Sequence, residues 1–389
     1  MMRMVYMDYA ATTPLDEQVL LAMLPYFNEK FGNASSVHSY GREARKAVEQ
    51  ARDKVATVLG CTSGEILFAG GGTEADNLAI IGATANGQRR GKHIITSPLE
   101  HHAVSENFEM LQERGYEVTY LPVDEYGYIE PGAVRDAITP ETALVSIIHG
   151  NNEIGTIQDA AAIGAICKEK GVTFHLDAVQ TVGHLPIDVS ELNCDLLSLA
   201  AHKFYGPKGS GALYVRRGVR LTPQVRGGAQ ERGLRAGTEN VPGIVGLGEA
   251  IYLAEKYREE RCLRETALRD ELIAGLLQIP HVRLNGHPQK RLANNVNVSI
   301  FWIEGESILL ALDLKGIAAS SGSACTSGSL EPSHVLLGIG LDHETAHGSL
   351  RLTLGKDNTE EDVAYLLATL PPIVQRLREL SPIWPGNRR

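Results

Sequence analysis

The chain has 389 residues, of which 43% are hydrophobic and 22% charged, with a formal net charge of −10. That length allows two or three domains and a sizeable buried core. The acidic balance argues against a nucleic-acid partner and against docking on anionic membranes. The opening Met1-Met2-Arg3-Met4-Val5-Tyr6-Met7-Asp8 meets an acid too early for a secretory signal. No apolar run approaches the length of a membrane span. The five cysteines (Cys61, Cys167, Cys194, Cys262, Cys325) are odd in number and scattered, with no CxxC pair or Cys/His cluster in the sequence. A reducing cytoplasm is the expected location, with Cys167 and Cys194 as small core residues.

From about residue 42 to 250, helical patterns alternate with short apolar runs. Arg42 to Leu59 carries Ala44, Ala47, Val48, Ala51, Val55 and Val58 at helical spacing. Strands are predicted at Ile66–Ala69, His93–Thr96, Val118–Leu121, Leu144–Ile148, Val172–Leu176, Leu196–Leu199 and Ala212–Val215. Their β-branched character and the helix-sized gaps between many of them predict a mostly parallel sheet with helices on both faces. Ligands of such sheets sit at the carboxyl ends of the strands. A Gly/Arg-rich stretch, Arg216 to Asn240, reads as a solvated or interface loop. A long charged helix is expected near Gly246–Ile279. Beyond it, a smaller α+β domain is predicted: a period-two strand (Val296, Val298, Ile300), an amphipathic helix (Glu306–Leu314) and a strand near Leu350–Leu354. The last helix opens with Thr359-Glu360-Glu361-Asp362, a capping-box pattern, and Pro371-Pro372 is expected to interrupt it.

Three segments at strand ends carry chemistry. Gly70-Gly71-Gly72-Thr73 opens a helical pattern, where backbone amides and the helix N-terminus suit one phosphate. The segment lacks the P-loop lysine and the dinucleotide fingerprint, so ATP and NAD fit poorly. His175-Leu176-Asp177 ends an apolar strand with an acid able to pair with a cationic ring nitrogen. Ala201-His202-Lys203-Phe204-Tyr205 follows another, and apolar neighbours make the Lys203 amine a usable nucleophile. Acid, lysine and phosphate cradle on separate strand ends together ask for pyridoxal 5'-phosphate: lysine binds its aldehyde, and the acid keeps its ring nitrogen protonated. Around them, Glu100-His101-His102 offers an imidazole for stacking and proton transfer. Asn151-Asn152 offers amides for cofactor or substrate, or an Asx-turn. Arg351 offers a bidentate clamp for a substrate carboxylate. Finally, Ser320-Ser321-Gly322-Ser323-Ala324-Cys325-Thr326-Ser327-Gly328-Ser329 places a thiol among small residues, able to meet a substrate.

With these motifs the chain resembles the cysteine desulfurases of the NifS/IscS group, in the class V (fold-type I) pyridoxal-phosphate-dependent aminotransferase family. The likeness runs from Asp8-Tyr9-Ala10-Ala11-Thr12-Thr13-Pro14 to Leu380-Ser381-Pro382 and is most specific from Ser320 to His334. It implies an α/β, fold-type I transferase: a large cofactor domain (15–255) with a mostly parallel sheet flanked by helices, and a smaller α+β domain (1–14 and 256–389) carrying the cysteine loop. It implies Lys203 as the cofactor-binding lysine, Cys325 as the persulfide-forming thiol and His101 in proton transfer. Asp177 pairs with the ring nitrogen, Gln180 and Asn152 contact the oxygen side, and Gly72, Thr73 and His202 hold the phosphate. Thr238 reaches the phosphate of the neighbouring subunit, which implies a homodimer, and Arg351 binds the substrate carboxylate. The implied reaction takes L-cysteine to L-alanine and leaves a persulfide on Cys325 for an iron–sulfur scaffold protein. Whether Cys325 itself touches an iron–sulfur cluster stays open.

One departure concerns Ala200, where many relatives have a phosphate-binding serine, so one hydrogen bond should be missing or supplied elsewhere; Gly70-Gly71-Gly72 also replaces a more usual Ser-containing triplet. The wording of Leu370–Val374 and of Ser327-Gly328-Ser329 leans toward the nitrogen-fixation type, and housekeeping assembly is equally compatible. The rival readings are a selenocysteine lyase or another enzyme of the aminotransferase type, both of which need the lysine and acid but no exposed thiol, and a non-enzymatic binding protein, which would have no use for them.

Overall fold

The computed structural model describes residues 3–85, 91–321 and 331–387. Its described strands are β1 (Val5–Tyr6), β2 (Ile66–Ala69), β3 (His93–Thr96), β4 (Glu117–Tyr120), β5 (Thr142–Ile148), β6 (Thr173–Asp177), β7 (Leu196–Ala200), β8 (Gly211–Val215), β9 (Val282–Leu284), β10 (Asn295–Ile300), β11 (Ile317–Ala318) and β12 (Ser349–Thr353). The seven apolar runs singled out in the sequence all form one sheet, ordered β2-β8-β7-β6-β5-β3-β4. Only β8 runs against the others, pairing antiparallel with both β2 and β7. Six of the seven strands therefore share one direction, as the helix-sized gaps between many of them predict. Gly211, which opens β8, crosses the backbone of Gly71 so closely that a Cβ there would lie 2.6 Å from the Gly71 carbonyl carbon. A side chain at 211 would push the glycine turn out of place.

The helix Ser39–Leu59 buries Ala44, Ala47, Val48, Ala51 and Val55, one stripe at helical spacing. It packs with Val241–Lys256 against the sheet in the larger apolar core. Cys167 and Cys194 lie in that core with fully buried side chains, and desolvation pushes both thiols up to about 12.

The single long helix expected near 246–279 is two helices, Val241–Lys256 and Arg258–Leu276, separated at Tyr257 (φ −108°, ψ 10°). The first buries Ile244, Leu247 and Ile251 in the large core, while the second buries Leu268, Leu272 and Leu276 in a second one. The chain has to turn between two cores, and charge patterning carries no record of that. The second core gathers β10, β12, the helices Gly305–Asp313 and Glu360–Leu380, and Val5 and Met7 from the N-terminus. On this packing we propose the division into 15–255 and 1–14 with 256–389.

The final helix corrects another expectation. It runs unbroken from Glu360 to Leu380 through Pro371 and Pro372. Val363, Leu366, Leu370 and Val374, on both sides of the prolines, are all buried in the second core. Their packing outweighs the local cost of roughly 3 kcal/mol for a proline in a helix interior.

The Arg216–Asn240 stretch is tethered more firmly than a solvated loop. Glu231, 7% exposed, accepts from Arg52 Nη1 (2.8 Å) and Nη2 (2.7 Å) and from the amide of Phe68 in β2 (2.9 Å). The Arg52 guanidinium also lies 4.7 Å from the Phe68 ring centroid. Removing one partner of such a pair leaves a buried charge unmatched. Arg52→Ala is therefore expected to destabilise the protein by about 3–5 kcal/mol, measured as a drop in urea midpoint, whereas a double replacement of Arg52 and Glu231 by methionine should recover most of the loss.

Candidate active site

The carboxyl ends of β2, β3, β5, β6 and β7 open into one cavity of about 280 Å³. Gly72, Thr73, His101, Asn152, Asp177, Gln180, His202, Lys203 and Arg351 all line it. Sequence reasoning placed each of these in the site, and the fold brings them together from six separate stretches of chain.

Lys203 lies on the short turn Ala201–Lys203 that follows β7. Its Nζ donates to the carbonyls of Ala10 (2.5 Å) and Ala11 (2.9 Å). The turn itself is fixed by Thr13, whose amide and hydroxyl both donate to the His202 carbonyl (3.0 Å each) and whose hydroxyl accepts from the Tyr205 amide (2.8 Å). Gln180 Nε2 also donates to Ala10 O (3.0 Å), and His202 Nδ1 lies 3.2 Å from Thr12 Oγ1. The N-terminal segment from Asp8 to Thr13 is thus a wall of the site. Its motif was noted only as part of a resemblance, and nothing in Tyr-Ala-Ala-Thr-Thr shows that main-chain carbonyls will do the work.

Asp177 ends β6, and its Oδ1 accepts from the Val179 amide (3.0 Å). Two further acids lie behind it, neither evident from the sequence. Asp76, 1% exposed, has an Oδ1 without a hydrogen-bond partner, 3.6 Å from His175 Nε2. Glu100 is fully buried, accepts from Ser97 Oγ, and leaves Oε2 without a partner. Desolvation holds all three carboxyls above their usual range, helped for Asp76 and Glu100 by the charge of Asp177; Glu100 reaches about 8. His175 joins β5 to β7 between Ser146 Oγ (2.8 Å) and Ser198 Oγ (3.0 Å), and desolvation lowers it to about 3.

His101 is the N-cap of the helix His102–Glu113, where Nδ1 accepts from the Ala103 amide (3.1 Å). That bond assigns the ring proton to Nε2. Desolvation and then the Lys203 charge lower the imidazole to about 4, so the ring is neutral at physiological pH. Asn151, not Asn152, makes the Asx-turn, its Oδ1 accepting from the amides of Glu153 and Ile154 (2.9 Å each). Asn152 is left to line the cavity.

Arg351 comes from β12. Its Nη1 donates to Asn152 O (3.0 Å), its Nη2 pairs with Asp8 Oδ1 (2.9 Å), and its buried Nε has no hydrogen-bond partner. A buried guanidinium N–H without a partner, on an arginine whose acidic partner is the partly exposed Asp8, leaves donor capacity for an incoming carboxylate. At the other end of the site, Gly71 O accepts the amide of Ala75, leaving the amides of Gly72, Thr73 and Glu74 in the first turn of the Gly72–Ala85 helix outside its ladder. A Cβ at Gly72 would sit 2.8 Å from Val179 Cγ2 and 3.4 Å from Ala200 Cβ. A phosphate cradle, a buried acid, an amine and a guanidinium with one unmet N–H fit pyridoxal phosphate with an amino acid beside it.

Two predicted residues are not among these. Thr238 is exposed and lines a separate hollow with Gly237, Glu239 and Asn240. Cys325 lies outside the described residues, but the chain on either side of 322–330 is anchored at the site. Ser320 makes a two-way main-chain bridge with Arg351 (2.7 and 3.1 Å). On the far side, Ser333 Oγ donates to the buried Glu153 carboxyl, and His334 Nε2 lies 2.8 Å from Glu100 O.

The buried groups set opposite pH dependences. His101, His149 and His202 (each lowered to about 4) and His175 are neutral when folded, so they contribute stability that is lost as pH falls from 6.5 toward 4. Glu100 (about 8) and Glu153 (about 7) hold protons when folded and release them when unfolded. Their contribution is present below 4.5 and is lost as pH rises through 7 and 8. The interval from pH 6.5 to 8 therefore isolates the carboxyls: the urea midpoint should fall across it, and Glu100→Gln, which stays neutral beside Ser97, should flatten that fall.

Comparison with known proteins agrees with this geometry. The Aminotransferase class-V family matches residues 5–366. Over 385 residues the chain is 57% identical to the cysteine desulfurase IscS of Methanosarcina thermophila, covering 99% of this chain and 95% of that protein. The structure of a NifS-like protein superposes with a TM-score of 0.91 at 39% identity, covering 96% of this chain and all of the other. That of SspA in complex with cysteine superposes with a TM-score of 0.81 at 38% identity, covering 91% and all of the other. The chain belongs to the class V aminotransferase family of pyridoxal-phosphate-dependent enzymes, in its NifS/IscS group of cysteine desulfurases.

Proposed function

We propose that the chain is a cysteine desulfurase that converts L-cysteine to L-alanine and carries the released sulfur as a persulfide on Cys325. The observation that supports this most directly is the position of Arg351. It lines the Lys203 cavity with a buried Nε that no protein group satisfies, and is bridged through its main chain to Ser320, at the foot of the segment bearing the cysteine. Carboxylate recognition and thiol delivery meet at one residue.

Pyridoxal phosphate, when bound, supplies the electron sink that lets the substrate Cα–H bond break. Asp177 would hold its ring nitrogen, Gln180 and Asn152 its oxygen side, and Thr73, His202 and the first-turn amides its phosphate. Thr238 of a second copy would complete that cradle in a homodimer, consistent with its exposure here. Arg351 clamps the substrate carboxylate through a planar fork that lysine cannot reproduce. Lys203 takes the α-proton, and His101, neutral with its proton on Nε2, assists its return. The Cys325 thiolate then attacks the substrate sulfur. The new S–S bond forms as the Cβ–S bond breaks, the bond pair stays on carbon, and that carbon takes up a proton to give alanine. The persulfide passes next to an acceptor, proposed to be an iron–sulfur scaffold protein. No described helix is long and apolar enough to cross a membrane.

Alanine release from L-cysteine, measured on the cofactor-loaded protein with a thiol reductant present, tests the reading. Alanine and sulfide should appear together, whereas pyruvate would point to another enzyme of the aminotransferase type. Lys203→Ala and Cys325→Ser should each lower alanine formation by on the order of 10³-fold or more. Wild-type alanine production by Cys325→Ser would overturn the role of the thiol. Arg351→Lys should raise KM for cysteine by roughly 10–100-fold with a smaller effect on kcat.

A further inference from the structure

Away from the cavity, a second group of chemically active side chains meets at the junction of the two cores. His184 lies in the loop after β6, and Cys262 and Glu265 are three residues apart on the helix Arg258–Leu276. Seventy-eight residues of sequence separate the histidine from the cysteine, which is why no Cys/His cluster shows in the primary structure. In the fold, one donor atom from each of the three lies within 4.8 Å of the others, with His184 Nδ1 and Glu265 Oε2 3.6 Å apart.

Glu265 is the unusual member. It is 1% exposed, yet neither carboxylate oxygen has a hydrogen-bond partner, and His184 Nδ1 beside it has none either. A buried carboxylate left this way is strongly disfavoured unless a cation or proton meets it. Arg261 does not do so fully: its Nε stands 3.8 Å from Glu265 Oε1 without a hydrogen bond, and its Nη2 is committed to the Gly183 carbonyl. The Cys262 thiol donates to the His184 carbonyl at 3.2 Å, and its sulfur lies within 4.8 Å of the imidazole and carboxylate donors.

We propose that His184, Cys262 and Glu265 bind a single thiophilic divalent cation, Zn²⁺ being the best match, and that this ion staples the first helix of the small domain to the loop below the Lys203 turn. Nitrogen, sulfur and oxygen donors at Zn²⁺ distances of about 2.0–2.3 Å stand about 3.3–3.8 Å from one another in a tetrahedron. The 3.6 Å already found between His184 and Glu265 meets that spacing, and the sulfur, within 4.8 Å of both, has to move inward and give up the His184 carbonyl. Thiolate and carboxylate together match the charge of the ion, and the fourth position is left for water or the second Glu265 oxygen. Gly183, next to His184, packs where a Cβ would lie 3.1 Å from Phe204 Cβ, so the staple would brace the turn that carries Lys203.

The test uses cofactor-loaded protein carrying Cys325→Ser, so that the loop thiol cannot compete for metal. After chelator treatment it is titrated with Zn²⁺ against a chromophoric chelator and, separately, with Co²⁺. One Zn²⁺ should bind per chain, the Co²⁺ form should show thiolate-to-metal charge-transfer absorption, and the unfolding midpoint should rise with metal. Adding Cys262→Ser should abolish the charge-transfer band and weaken Zn²⁺ binding by on the order of 100-fold or more. Glu265→Gln provides a second, nearly isosteric variant that should weaken binding without loss of circular dichroism. Absence of binding at micromolar Zn²⁺, or binding that Cys262→Ser and Glu265→Gln leave unchanged, would overturn the proposal.

Discussion

The lysine amine held by two backbone carbonyls is the constraint from which the rest of the site follows. Ala10 O and Ala11 O can reach Lys203 Nζ only because the N-terminal segment is stretched between the two cores. Val5 and Met7 are buried in the small core, Asp8 pairs with Arg351, and Thr13 locks the turn after β7. One short run of chain thereby fixes the amine, the carboxylate clamp and the spacing between them. Side-chain carbonyls could satisfy the same hydrogen bonds, but they would cost rotamer entropy that a main chain docked on both sides does not.

Behind the amine, the protein keeps acids and imidazoles out of water and largely uncharged. Asp76, Glu100 and Asp177 crowd one another at the ends of β2, β3 and β6, and His175 ties the middle strands together through two serines. Three ionised carboxylates could not share that volume. The arrangement lets one acid ionise against a cationic partner while burial keeps the others protonated. Asp177 and Asp76 both line the cavity, and of the two it is Asp177 whose oxygen accepts a main-chain amide.

Much of this was readable beforehand, for physical reasons. The inner strands announce themselves because a parallel sheet buried on both faces must be nearly continuously apolar, and the site residues follow because such sheets present ligands at their carboxyl ends. Lys203, Asp177 and Gly72 are conspicuous as an amine, an acid and a glycine just where those strands stop. What escaped is what long-range packing decides. Tyr257 breaks the expected long helix because two cores compete for its halves, and Pro371 and Pro372 fail to break the last one because a buried stripe flanks them. Asp76 reads as an ordinary helix residue and Glu100 as one of a polar triplet. Their burial depends on neighbours more than 70 residues away, and local composition carries no trace of it.

The docking of residues 8–13 onto both Lys203 and β12 also orders events in time. Asp8 meets Arg351 across 343 positions, and Ala10 meets Lys203 across 193. Contacts of such high sequence separation form late, because loop closure must come first. During synthesis the lysine-bearing turn emerges well before β12 exists; at about 5–20 residues per second, the intervening chain takes roughly 7–30 s to make. Through that interval the N-terminal segment has only one of its two anchorages. A nascent chain can build most of the central sheet, yet the pocket closes around its amine only when the ribosome has nearly finished, so a reactive lysine is not positioned for chemistry on an incomplete protein.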